Sequence, residues 1–299
     1  MSFRPSLMRN AIAAALVAGA AVALSPAAQA AGEVEHPPQQ TWSFSGPFGK
    51  FDRAQLQRGF KVYREVCASC HALSFVAFRN LAEAGGPGFT PAQAAVIAGE
   101  YKIMDGPNDA GDMEERAGRV ADHLPKPFPN DNAARAANGG AAPPDLSVIA
   151  KARTYERGFP QFLIDIFTQY QEQGPDYIKA LLTGYTDAPA DFTVPPGGHY
   201  NKYFPGHSIM MAPPLSADQV EYTDGTPTTV EQYARDITAF LMWTAEPHME
   251  ARKRTGMQVI IFLIVFAGLL YFTKKKVWKQ VELHPEQLTP RAPTEYNKS

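Results

Sequence analysis

Cysteine is almost absent from the 299-residue chain: only Cys67 and Cys70 occur. That excludes a fold stapled by several disulfides. Charge is also scarce, at 19% of residues, and nearly balanced, with 28 Lys+Arg against 30 Asp+Glu. A near-neutral chain lacks the basic face of a nucleic-acid binder, so no nucleic-acid partner is expected. No internal repeat is visible, and no stretch alternates in the manner of a half-buried strand. The chain does have apolar material, 45% of residues, so whole-chain disorder is excluded. Its 26 Pro and 23 Gly predict much irregular chain between short elements.

Two apolar runs stand apart from the rest. Arg4 and Arg9 precede the run Ala11 to Leu24, followed by Pro26-Ala27-Ala28-Gln29-Ala30. A basic start, an apolar middle and a small-x-small site form a secretory signal, residues 1–30, cut after Ala30. The second run, Gly256 to Thr273, carries no charge and lies between Arg252-Lys253-Arg254 and Lys274-Lys275-Lys276. Eighteen helical residues span roughly 27 Å, close to the hydrocarbon thickness of a bilayer. Residues 255–273 are therefore expected to cross a membrane. An exported N-terminus then places residues 31–254 in the periplasm and the basic tail 274–299 in the cytoplasm, in line with the positive-inside tendency. Partitioned this way, residues 31–254 hold 20 basic and 27 acidic residues, net −7, which the whole-chain balance conceals.

Within the exported part the pattern is mainly α. Asp52 can cap a helix in which Leu56, Phe60, Tyr63 and Val66 form one stripe, with Phe51 and Leu56 as a hydrophobic staple. Thr90-Pro91 starts another helix, to about Lys102. Further helices are expected over 162–170, 176–184 and 230–244, and Pro247 can open one that continues into the membrane. Residues 103–147 read mostly as loop.

The first helix runs into Cys67-Ala68-Ser69-Cys70-His71. C-x-x-C-H is the attachment pattern of c-type haem: two thiols one turn apart add to the vinyl groups, and the adjacent imidazole ligates the iron. A thioredoxin-like pair would sit near a βαβ pattern, which is missing, and a structural zinc site would need a second ligand pair. A haem electron carrier usually needs a sixth ligand, and thioether sulfur raises the reduction potential relative to a second imidazole. Met210 and Met211 lie in the Pro-bounded stretch Pro205 to Pro214, and His199 and His207 compete with them.

The ordered motifs Trp42-Ser43-Phe44-Ser45-Gly46-Pro47-Phe48-Gly49, CASCH, Pro143-Pro144-Asp145-Leu146-Ser147, Tyr200 to Gly206, Met211-Ala212-Pro213-Pro214 and Phe240 to Pro247 resemble the cytochrome c1 family, bacterial type. The resemblance covers nearly the whole mature chain. It implies a class I cytochrome c-like haem domain with long irregular loops, anchored by one C-terminal helix. It also implies thioether bonds from Cys67 and Cys70, His71 as proximal ligand and Met211, just before Ala-Pro-Pro, as axial ligand, with Arg153 neutralising a haem propionate. The function implied is the electron-transfer subunit of a quinol–cytochrome c oxidoreductase. It would take electrons from a Rieske iron–sulfur protein and pass them to a cytochrome c, beside cytochrome b in a dimeric complex. This chain would supply no catalytic acid or base of its own. A free-standing anchored cytochrome feeding a terminal oxidase or reaction centre is the alternative, with a haem enzyme or gas sensor behind it.

Residues 159–175 read as an insertion of the kind bacterial members carry. The additional Cys pair of some relatives is missing, so packing alone is expected to shape the pocket. Asp105, Asp109, Asp112, Glu114 and Glu115 form an acidic cluster suited to steering a basic partner.

Overall fold

A computed structural model describes residues 35–155, 157–168 and 170–283, with side chains to Lys279. The signal reading on residues 1–30 and the end of the tail, 284–299, lie outside the described residues. The core is built on two helices, α1 (Arg53–Glu65) and α7 (Val230–Ala245). Asp52 caps α1, its Oδ1 accepting from Gln55 N at 3.2 Å, and both staple residues, Phe51 and Leu56, are buried. The Gln55 side chain does not return to the cap. It donates to Asp236 of α7, at 3.1 Å.

The helices cross where Gly59 lies. A Cβ there would come within 2.2 Å of Asp236 O and 2.6 Å of Phe240 Cβ, so only glycine permits this approach. Around it Phe60 and Tyr63 meet Phe240 at ring separations of 5.7 and 6.2 Å. Asp236 is wholly buried and ties the pair by accepting from Gln55, Gln232 and Arg58 Nε, the last at 2.9 Å. A buried carboxylate is tolerable only when satisfied in this way.

Shorter helices complete the domain. They are α2 (Pro91–Gly99), α3 (Asp131–Ala137), α4 (Ile149–Ala152), α5 (Gln161–Thr168) and α6 (Gln173–Thr183). Thr90 and Gln93 close a reciprocal capping box on α2, which ends earlier than the pattern suggests. α4 and α6 pack on α7.

The expectation of no strands is corrected. β1 (Lys102–Asp105) and β2 (Glu114–Ala117) pair antiparallel, as do β3 (His199–Tyr200) and β4 (Ser208–Ile209). Such short ladders carry no readable alternation. The first hairpin and α3 also replace part of the loop expected over 103–147. Asn130 starts α3, accepting from Ala133 N at 2.9 Å, a signal the run of prolines before it obscures.

α8 (Met249–Leu283) leaves the domain as a single 35-residue helix. It contains a stretch long and apolar enough to cross a membrane, and none of that stretch is buried.

Candidate functional site

α1 delivers its last residues into a 3-10 turn, Cys67–Ser69, in which Cys70 N and His71 N both donate to Cys67 O, at 3.1 and 2.9 Å. Ser69 Oγ donates to Val66 O, and Tyr63 Oη donates to His71 O, so the turn is held by both its own residues and α1. Neither cysteine is in a disulfide. Burial pushes the free Cys67 thiol up to about 12, with Cys70 adding to the shift. A redox-active pair would instead lower it to obtain thiolate. The pocket suits a sulfur that carries no charge, as in a thioether.

The His71 ring is fixed by Nδ1, which lies 2.8 Å from Pro144 O. A carbonyl only accepts, so Nδ1 carries the proton and Nε2 keeps a free lone pair, the arrangement an iron ligand needs. Burial also lowers the His71 pKa, outweighing the opposing Pro144 bond, and favours the neutral ring.

Pro144 belongs to a strap, residues 143–147, zipped along residues 72–75. Leu146 N donates to Ala72 O at 2.9 Å, Ser74 N to Asp145 Oδ2 at 3.0 Å and Phe75 N to Ser147 Oγ at 3.1 Å. Asp145 Oδ1 also accepts from Ser147 N at 2.7 Å, an Asx turn that stiffens the strap. These ties correct the expectation that packing alone shapes the pocket.

Just upstream of the strap, Gly139 reaches the methionine stretch. Met210 Cε lies 3.5 Å from where a Cβ at Gly139 would stand and 3.3 Å from one at Gly197, so Met210 fills the gap between two glycines. Its neighbour Met211 is half-buried, and Met211 O accepts from Tyr185 Oη at 3.0 Å. The competing imidazole of His207 is built into the β3–β4 hairpin, stacked on Tyr200 at 5.5 Å with Nδ1 3.2 Å from Asn201 O. His199 is half-buried in β3.

Arg153 is exposed just after α4 and forms no ion pair among the described residues.

The acidic cluster lies on the β1–β2 hairpin. Arg116 pairs with Asp105, and Lys102 with Glu115 at 3.2 Å, so part of the cluster is neutralised locally. Asp109 and Asp112 at the tip form no ion pair among the described residues. The strap ties and Tyr185 were not read from the sequence. Asp-x-Ser after two prolines is an Asx-turn signature that could have flagged the strap, whereas nothing local marks Tyr185.

A cysteine pair and imidazole on the end of a core helix, backed by a strap and carried on an anchored, mainly helical domain, define a membrane-anchored c-type cytochrome. The Cytochrome C1 family model matches residues 42–281, and the chain belongs to that family. Its cofactor is therefore a covalently bound haem c. The chain is 66% identical to the cytochrome b/c1 of Bradyrhizobium diazoefficiens over 89% of its own length and 39% of that protein. It spans well under half of that relative. It is 51% identical to the cytochrome c1 of Blastochloris viridis over 90% of this chain and 95% of the other. With the mitochondrial cytochrome c1 heme protein of Saccharomyces cerevisiae it shares 44% identity, over 86% and 77% respectively.

Proposed function

We propose that this chain is the electron-transfer subunit of a bc1-type quinol–cytochrome c oxidoreductase, passing electrons from a Rieske iron–sulfur protein to a cytochrome c. The observation that carries the reading is the clamped C-x-x-C-H turn, whose imidazole is held through Nδ1 by Pro144 in a chain of the Cytochrome C1 family. Cys67 and Cys70 would hold the cofactor covalently, His71 would offer Nε2 to the iron and Met211 would supply a thioether ligand. Arg153, exposed and without an ion pair among the described residues, would balance a propionate. Haem c, when bound, supplies a one-electron iron couple whose potential a thioether ligand raises.

In this reading the chain's own residues fix, orient and shield the cofactor, and no acid, base or nucleophile is asked of them. Quinol chemistry falls to partner subunits, with cytochrome b beside the anchor in a dimeric complex. The reading places the haem domain in the periplasm after removal of residues 1–30, with the tail in the cytoplasm. The acidic tip at Asp109 and Asp112 suits a basic cytochrome c, because complementary charge speeds encounter.

Purification from detergent-solubilised membranes through this chain tests the proposal. The expected preparation carries b-type haem and an iron–sulfur signal alongside c-type haem, and reduces cytochrome c with quinol. A preparation with c-type haem alone would favour the free-standing carrier. Carbon monoxide binding to the reduced protein at neutral pH would favour a haem enzyme or sensor.

A further inference from the structure

The 159–175 insertion contains the most exposed apolar surface of the domain. On α5 and just before it, Phe159 is 78% exposed and Phe167 86%, and Phe162, Leu163, Ile164 and Ile166 are exposed with them. The one charged residue of α5, Asp165, is turned inward and paired with Arg157 at 2.7 Å. α5 thus shows solvent an apolar surface without a charge, which a water-facing helix does not retain unless something covers it.

What covers it is indicated by where the insertion ends. Glu172, four residues after α5, is buried, and α6, which begins at the next residue, packs with Gly174 against Ala150 of α4, whose Lys151 pairs at 2.8 Å with Glu246, the residue that also holds Arg252 at the foot of α8. Lys253 lies on the second turn of α8, about 4.5 Å of helix rise before Gly256, where the uncharged stretch begins. Four residues of chain reach at most about 14 Å, so α5 is tethered close to the point where the anchor enters its apolar span.

A second, unrelated segment converges on the same turn. Lys253 Nζ donates to Phe44 O at 2.6 Å, and Phe51 N donates to Glu250 Oε1 at 3.0 Å, which clamps residues 44–51 to the foot of α8. The tip of that turn, Phe48, is 75% exposed. Arg252, Lys253 and Arg254 complete the collar.

We infer that α5 and Phe48 rest in the headgroup layer of the leaflet that α8 enters, giving the domain a second contact with lipid. The occupant is a phospholipid surface rather than a protein. Two separate apolar features border the one surface that an anchor crossing the bilayer guarantees to be present. A headgroup zone some 5–8 Å thick per leaflet accepts aromatic side chains at its inner edge and cations at its outer one. The contact would limit tilting of the haem domain about the base of its anchor. The inference rests on α8 being that anchor.

Spin labels in the intact complex, reconstituted in phosphatidylcholine vesicles, test it. Phe167→Cys is labelled with a nitroxide, and relaxation by oxygen, which partitions into lipid, is compared with relaxation by a water-soluble nickel chelate. Labels at Val265→Cys in the anchor and Asp109→Cys on the acidic hairpin provide the lipid and water references. The unsubstituted complex gives the background. The expected oxygen-to-nickel ratio at position 167 lies several-fold above that at 109 and approaches that at 265; Phe48→Cys should follow it. A ratio at 167 matching 109, with 265 lipid-like, overturns the contact alone. A label at 167 shielded from both relaxants shows a protein partner there and overturns it too. A water-like value at 265 removes the anchor and the inference together.

Discussion

The two sides of the candidate site are held in different ways. On the Cys67–His71 side, backbone and side-chain bonds from α1, from the turn itself and from the 143–147 strap converge within a few residues. On the Met211 side, the stretch between β4 and Pro213 belongs to no helix, and the tie from the core is one phenol, Tyr185 Oη to Met211 O. The first side is fixed by many bonds of the chain itself. In the proposed reading the second carries the axial residue on a lightly tied loop. A site built this way would keep its attachment chemistry rigid and leave the potential-setting residue sensitive to small changes.

Met211→Leu should have the largest effect, because in the proposed reading it removes a ligand and leaves the Cys67–His71 side intact. The haem midpoint potential should fall strongly and cytochrome c reduction should drop more than about tenfold, at least ~1.4 kcal/mol of transition-state stabilisation. Met210→Leu should leave the potential near its original value in the same redox titration. An unchanged potential in the Met211 variant would place the ligand elsewhere and end the comparison. Next comes Asp236→Ala, which takes the buried acceptor from two glutamines and leaves Arg58 with only its more exposed partner Asp224. Removing one partner of a buried ion pair costs about 3–5 kcal/mol. The far-ultraviolet helix signal should be lost at markedly lower temperature, with the haem potential below that transition unchanged.

Asp145→Asn probes the strap. Partial burial works against this carboxylate, but hydrogen bonds from Ser147 and Ser74 outweigh it and hold the group below the usual range. A depressed folded-state value means the carboxylate stabilises fully above the unfolded value of about 3.9 and loses that contribution as pH falls through the lower folded one. The substitution should cost about 1 kcal/mol at neutral pH, since solvent reaches the group, and the difference from the unsubstituted protein should vanish in acid. Thermal melts at pH 7 and near pH 2.5 check both parts. Tyr185→Phe is the mildest change, about 0.5 kcal/mol, the low end for one part-buried hydrogen bond. Its signature should be a small shift in potential with little change in melting, the reverse of Asp145→Asn. Equal effects of the two on melting would show that both sides are braced alike.

How legible the molecule was in its sequence follows the range of the interaction. The caps at Asp52 and Thr90, the stripe on α1 and the long apolar run obey local rules, and the structure has helices there. The two hairpins escaped because four- and two-residue strands carry no period to detect. Gln55 shows the limit of a local rule: in a reciprocal cap its side chain would accept from Asp52 N–H, yet it instead donates to a buried carboxylate on a helix 181 residues away. The packing-only pocket was a misjudgement of the same kind, since strap and turn lie about 70 residues apart in sequence.

The sequence by itself determined the chemistry: two cysteines and a histidine spaced for haem, a thioether-bearing loop, an uncharged run long enough to cross a bilayer. Those follow from residue type and short spacing, which no fold can alter. The tertiary structure alone decided which ring nitrogen of His71 is left free, which carbonyl aligns it, what steadies Met211, and that the 159–175 insertion stands at the foot of the anchor. Each of these is a contact between segments far apart in the chain, set by how α1 and α7 close around Gly59 and Asp236.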